Sequence, residues 1–396
     1  MDSSRKNKLL YIDTEALSTL ALVKAGLISP VTKLMNKEEA NSVNETQKYK
    51  GVPFPFSFIL APKGKKNYKV LLTLTQGDKV TLISQGKEVG NLIVKDTFEI
   101  NPQERIQSIY GTTDTTHPGV ANTLARLGKI AVSGDYTINY PIIQDNINRI
   151  KNMVKTTKAK NITSLMLAGN PLNRAHERMI RQAVSDSDLL IIFLRKPFTN
   201  EGLRYDIRHN ALTTFIDNFL PQNKVIIIPF ENSYIFAGFN ELILDALLAK
   251  NYGCNQLVIG KNHGGLGLYY NQNKLNSVFD NCKNIDIEIK TVDEYVYCDT
   301  CKTLVSTQTC PHGQHHHVHY HSDSIMKLIQ SGLIPPSILV RKEVSANILA
   351  ALFPQRFTNL QKMHYSLMPG SGLIEQQSEE EFYLKLIQLY QTSSLT

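Results

Sequence analysis

From about residue 156 the chain alternates short, continuous apolar runs with helical stretches, and no other feature restricts its fold as much. The runs are 163-TSLML-167, 188-DLLIIFL-194, 224-KVIIIPF-230, 256-QLVIG-260 and 285-IDIEI-289. Between them lie helical patterns at 174-RAHERMIRQAVSD-186, 204-RYDIRHNALTTFIDNFL-220 and 240-NELILDALLAKNYG-253. Strands apolar on every residue are covered on both faces, as in a parallel sheet flanked by helices. The expected fold class is therefore α/β. Ligands of such sheets sit at the carboxyl ends of the strands.

The first 155 residues are written differently. Apolar segments at 56-FSFILA-61, 70-VLLTL-74, 80-VTLIS-84 and 91-NLIVKD-96 are separated by Gly, Lys and Asn. The turns GDK and QGKEVG between Gln76 and Asn91 predict successive hairpins. A small β-barrel preceded by a helix over 14–24 is expected. Beyond about 321 the pattern is helical, with candidate helices at 322–332, 343–353 and 378–391 and a Pro335-Pro336 break.

Charge narrows the function. The formal net charge is +8, with a pI of about 9, but the lysines are dispersed and not interleaved with aromatics. Nucleic acid is not an expected partner. No apolar run reaches the roughly 18 residues of a membrane span, and no signal sequence opens 1-MDSSRKNKLLYIDTE-15. A cytoplasmic protein without a membrane partner is expected.

Five cysteines, an odd number, argue against a disulfide framework. Three of them open 298-CDTCKTLVSTQTCPHGQHHHVHYH-321. Cys298 and Cys301 form a Cys-x-x-Cys knuckle, Cys310 follows, and six histidines crowd the next twelve positions. Three thiolates and one imidazole make a closed, structural Zn²⁺ site. His312 and His315 to His317 all have the reach, and His315 is taken as the fourth ligand. Cys254 and Cys282 are expected to be buried small apolar residues.

Taken together with 26-GLISPVTKLMNKEEANSV-43, 109-IYGTTDTTHPGV-120, 170-NPLNRAHE-177, 250-KNYGCNQLVIGKNHGG-265 and 332-GLIPPSILVRKEV-344, this knuckle resembles the bacterial zinc-loop type of ATP sulfurylase (sulfate adenylyltransferase). The resemblance covers nearly the whole length. It implies a PUA-like β domain (1–155), a nucleotidyltransferase α/β domain ending in the zinc loop (156–321) and a small helical C-terminal part (322–396), in a homo-oligomer. It also implies a reaction that joins ATP, with Mg²⁺, to a small oxyanion acceptor. In the family this gives adenosine phosphosulfate and pyrophosphate.

The site residues follow by position. His176 and Asn173 are the catalytic candidates. Asn170, His176, Lys261, His263, Gly264 and Gly265 are expected at the nucleotide phosphates, and His117 in a structural turn. The family motif Gln-x-Arg-Asn-Pro-x-His-x-x-His is here Leu167-Ala168-Gly169-Asn170-Pro171-Leu172-Asn173-Arg174-Ala175-His176. Ile235, Asn240 and Met326 also stand at arginine positions, and Lys261 at a fifth. Arg174, Arg178, Arg204, Arg208 and Lys261 are candidate substitutes. Two readings follow: a sulfurylase-type enzyme with a weakened sulfate pocket, or a homologue that binds adenine nucleotide without turnover or transfers AMP to another acceptor.

Overall fold

The computed structural model describes residues 8–196, 202–231, 241–260, 280, 282–370, 372 and 374–390. The chain begins with β1 (Lys8–Tyr11), α1 (Thr14–Lys24), α2 (Lys37–Thr46), β2 (Lys48–Tyr49), β3 (Val52–Pro53) and β4 (Leu60–Pro62). It continues with α3 (Lys65–Leu72), β5 (Lys79–Ser84), β6 (Lys87–Glu99), α4 (Pro102–Tyr110), α5 (Pro118–Arg126), β7 (Leu127–Ile138) and α6 (Ile142–Thr157). Next come β8 (Ile162–Leu167), α7 (Arg174–Ser185), β9 (Leu189–Lys196), α8 (Tyr205–Phe219), β10 (Val225–Glu231), α9 (Glu241–Asn251), β11 (Gln256–Gly260) and β12 (Glu288–Val292). The last elements are β13 (Tyr295–Cys298), β14 (Thr303–Ser306), β15 (His317–Val318), α10 (Ser322–Gln330), α11 (Lys342–Leu352), α12 (Arg356–Leu367) and α13 (Glu379–Tyr390).

Contacts divide the chain into two compact units, 1–164 with 230–290 and 165–229 with 291–396. In the first, a five-stranded sheet has the order β1-β5-β6-β7-β4, with β1 parallel to β5 and the other pairs antiparallel. Val80, Leu82 and Ser84 of β5 face the interior while Lys79 faces water, the alternation of a half-buried strand. Gln85 and Gly86, both at positive φ, close the β5–β6 hairpin as a two-residue turn needs. Gly90 is required there too: a Cβ would lie 2.0 Å from the Thr137 carbonyl oxygen.

The run 70-VLLTL-74 is not a strand. Its first three residues end α3, where Asn67 and Leu71, one helical turn apart, are both buried. A short apolar run fits a buried helix as well as a strand. The GDK turn therefore leads from α3 into β5 and is not a hairpin. At the other end of the unit, Asp13 caps α1 by accepting the Ala16 N–H at 2.7 Å. Cys254 and Cys282 are buried, and burial pushes both thiols up to about 12.

The α/β sheet has the strand order β10-β9-β8-β11-β12. The Asn255 N–H donates to the Ile162 carbonyl, and the Leu190 N–H to that of Lys224. Both bonds join the start of one strand to the start of its neighbour, the parallel arrangement expected. The order turns back at β8, where such sheets hold ligands beyond the carboxyl ends of the strands. β8 is buried along its full length and ends at Leu167, directly before the 168–173 turn.

In the second unit, β13 pairs antiparallel with β14 and with β15, placing Cys298 opposite Thr303 and His317. Among the described residues no helix is long and apolar enough to cross a membrane.

Candidate functional site

The turn after β8 is built to start a helix. Gly169 has φ +59°, a conformation L side chains adopt only with strain. Pro171 follows a cis peptide bond. Asn173 is the N-cap of α7, and its Oδ1 accepts the His176 N–H at 3.1 Å. In return the Asn173 N–H donates to His176 Nδ1 at 3.2 Å, completing a reciprocal capping box with histidine in the usual glutamate place.

That bond assigns the imidazole. Nδ1 accepts, so in the neutral ring the proton sits on Nε2, which becomes a donor. Burial pushes the His176 pKa down, to about 4, so the ring is neutral at pH 7. Helix starts usually offer several bare amides to an anion, but this one is largely occupied. The Arg174 N–H donates to the Leu339 carbonyl at 2.8 Å and the Glu177 N–H to that of Asn173. Among the described residues the Ala175 N–H makes no hydrogen bond.

The structure gives Asn170 and Asn173 framework contacts. Asn170 Oδ1 accepts the Leu203 N–H at 2.8 Å, and a Cβ on Gly202 would lie 2.1 Å from its Nδ2. Asn173 is buried under the cap that it forms. His117, in the first unit, caps α5 by accepting the Gly119 N–H at 3.1 Å.

Of the candidate substitutes, Arg174 turns to the 337–341 segment, where its Nε donates to the Ser337 carbonyl at 3.1 Å. Arg204 pairs with Asp206 in solvent. Arg208 is buried and ties Ala168 to Arg195, donating from Nη1 to both carbonyls at 2.7 and 2.9 Å. Leu167 and Met326, which the resemblance matches to a glutamine and an arginine, are 2% and 7% exposed. Lys261, His263, Gly264, Gly265, Ile235 and Asn240 lie outside the described residues.

The cysteine cluster closes around a different histidine from the one expected. Cys298, Cys301, Cys310 and His312 bring their donor atoms within 4.8 Å of one another. His312 Nδ1 lies 3.5, 3.3 and 3.6 Å from the three sulfurs, and Cys301 Sγ lies 3.9 Å from Cys310 Sγ. Around a tetrahedral ion with metal–sulfur bonds of about 2.3 Å and metal–nitrogen bonds of about 2.0–2.1 Å, the edges should be about 3.6 and 3.8 Å. The cage has the size of a metal ion.

His315 is outside it. Its ring lies against that of His316, centroids 4.1 Å apart. His316 Nδ1 meets Asp299 Oδ1 at 2.7 Å, and His319 Nδ1 meets Glu294 at 3.3 Å. Only one residue separates Cys310 from His312, so one tight turn delivers both. Burial opposes ionisation of Cys298, but the N–H groups of Cys301 and Thr300 outweigh it and pull the thiol down to about 6.

Residues 143–351, more than half of the chain, match the ATP-sulfurylase family, and residues 1–139 match the PUA-like domain. The chain belongs to the ATP-sulfurylase family. The sulfate adenylyltransferase of Chloroflexus aurantiacus is 27% identical over 354 residues, covering 86% of this chain and 90% of that protein. That of Psychrobacter cryohalolentis is 27% identical over 342 residues, covering 82% and 81%. A solved structure described as a hexameric APS kinase from Thiobacillus denitrificans superposes with a TM-score of 0.64 at 16% identity, over 89% of this chain and 64% of that one. It supports the fold. The N-terminal PUA-like domain and the nucleotidyltransferase domain after it are the expected architecture.

One feature of this family member escaped the sequence reading. Arg341 grips buried Glu177 with both Nε and Nη2, at 2.8 to 3.1 Å. The two residues are 164 positions apart, so no local pattern could announce the pair.

Proposed function

We propose that this chain is a sulfate adenylyltransferase-type nucleotidyltransferase that holds ATP phosphates at the 170–176 turn and handles sulfate poorly. The observation that carries this is His176: a neutral imidazole whose Nδ1 is engaged, leaving Nε2–H as a donor just beyond the carboxyl end of β8. The Ala175 N–H would add a second donor. Asn173 contributes by fixing the ring, and Asn170 by holding the turn. Lys261, His263, Gly264 and Gly265 are proposed to complete the phosphate contacts, with Mg²⁺ accompanying the ATP.

Sulfate is a dianion, and taking it out of water needs compensating charge. Apolar, buried Leu167 and Met326 supply none, and Gly169 has no side chain. The same residues favour a second reading, a homologue that binds adenine nucleotide without sulfate turnover.

The Cys298–Cys301–Cys310–His312 cage is proposed to hold one structural Zn²⁺, its four protein donors leaving no position for water. A cytoplasmic homo-oligomer, with three folding parts at 1–155, 156–321 and 322–396, completes the proposal.

Calorimetric titration of the full chain with ATP tests the placement. His176→Ala should weaken binding about tenfold, the effect of one lost charge-assisted hydrogen bond, and His319→Ala should leave it unchanged. Equal affinity in the His176→Ala protein would remove His176 from the site.

A further inference from the structure

Helix α7 has a second chemical face. Arg174, Arg178 and Arg181 follow at i, i+4 and i+7, within an arc of about 60° on the helix surface, and His176 points about 170° away from its centre. These arginines do not serve the turn that carries His176. They line a cleft of about 330 Å³ with Arg341, Glu177 and Leu304, at the lower end of the size range for small-molecule sites.

The charge in the cleft is unbalanced. Four guanidinium groups face one carboxylate, which leaves three net positive charges of a total of eight for the chain. Glu177 is committed to Arg341 at 2.8 Å and lies 3.5 Å from Arg174. Among the described residues neither Arg178 nor Arg181 has a carboxylate partner. Both lie instead over aromatic rings, Arg178 over Tyr295 and Arg181 over Phe215, each 5.6 Å from the centroid. Such stacking fixes a guanidinium plane while its N–H edge stays open for a bidentate acceptor. A solvated helix face would need neither the cleft nor the aromatic supports.

We infer that the arginine cleft on α7 binds a tetrahedral oxyanion of the phosphate class, at a site separate from the nucleotide turn. Arg178 and Arg181 supply the free forks, and Arg174 and Arg341 add positive charge. The anion could arrive as inorganic phosphate or as the phosphate group of a small organic molecule.

Calorimetry on the full chain at about 0.15 M ionic strength, held constant with chloride because screening alters such contacts, distinguishes these. Inorganic phosphate, pyrophosphate and glycerol phosphate are the probes. At least one should bind, and preference for glycerol phosphate over inorganic phosphate would point to the organic source. The Arg178→Ala/Arg181→Ala protein should bind at least tenfold more weakly. Arg178→Lys/Arg181→Lys should recover part of the loss, and His176→Ala should keep the parent affinity. Both arginines are exposed, so the double variant should fold, and unchanged circular dichroism checks that. The inference fails if none of the probes binds the parent chain, if the double alanine variant binds as the parent does, or if His176→Ala abolishes the same binding event.

Discussion

The cysteine cage at 298–312 and the turn at 167–176 carry two sets of ligand positions that have fared differently. In the cage every donor a tetrahedral ion needs is present and converges. At the turn the cap, the cis proline and the buried Arg341–Glu177 anchor are in place, while Gly169 and Leu167, and Met326 on α10, carry no charge for a dianion. The difference teaches what each set does for folding. Ligands of a structural ion would hold the 298–321 segment together, so the proposed Zn²⁺ ties each of them to folding. Ligands for sulfate would spend charge on a bound anion and give the fold little, whereas Leu167 and Met326 are buried in β8 and α10 as apolar core residues.

The comparison breaks most sharply at the cage. The purified, untagged chain should carry about one Zn²⁺. His312→Ala or Cys298→Ser should release it and destabilise the segment by several kcal/mol, since structural zinc contributes folding energy outright. His315→Ala should keep the metal. Metal analysis after gel filtration reads both results, and metal retained in His312→Ala but lost in His315→Ala would reverse the assignment.

A smaller effect should come from the anchor under the turn. Arg341→Ala leaves Glu177, 4% exposed on its side chain, without its bidentate partner. Breaking a buried pair typically costs about 3–5 kcal/mol. Denaturant unfolding measures this, and a loss under about 1 kcal/mol would show that the pair is not an anchor.

The smallest effect is a pH dependence. The folded His176 pKa, about 4, lies below its ordinary 6.5. Between those values the unfolded chain binds the extra proton, so stability falls as pH drops from about 6.5 to about 4. In His176→Gln this part of the decline should vanish. Parallel thermal melts of the two proteins across that range would show it, and identical pH profiles would contradict the burial.

How much of this was legible in the sequence follows the range of the forces involved. The strands β8 to β11 and the helices between them are written in local apolar runs and were readable within a residue or two, and the same holds for α1. The run 70-VLLTL-74 misled because five apolar residues carry no period. β7, with its alternation interrupted at 130–134, was missed. The three cysteines were legible by spacing, but the choice of His312 over His315 depends on how one turn folds. The reciprocal bond between Asn173 and His176 was hidden because histidine seldom closes a capping box. The Arg341–Glu177 pair depends on a contact across 164 residues, and the cleft along the arginine face of α7 on Tyr295, Phe215 and Arg341, none of them local to the helix.

Sulfate-dependent release of pyrophosphate from ATP reads the proposed weakness of the sulfate pocket. Losing one donor to an oxyanion costs about 10²–10³ in rate, and in the proposed pocket Gly169, Leu167 and Met326 supply none. Millimolar sulfate should raise pyrophosphate release little or not at all above the rate with ATP alone. Gly169→Arg should not restore it, because φ +59° strains an arginine there and Leu167 and Met326 remain. Robust turnover of the parent chain at millimolar sulfate would contradict it.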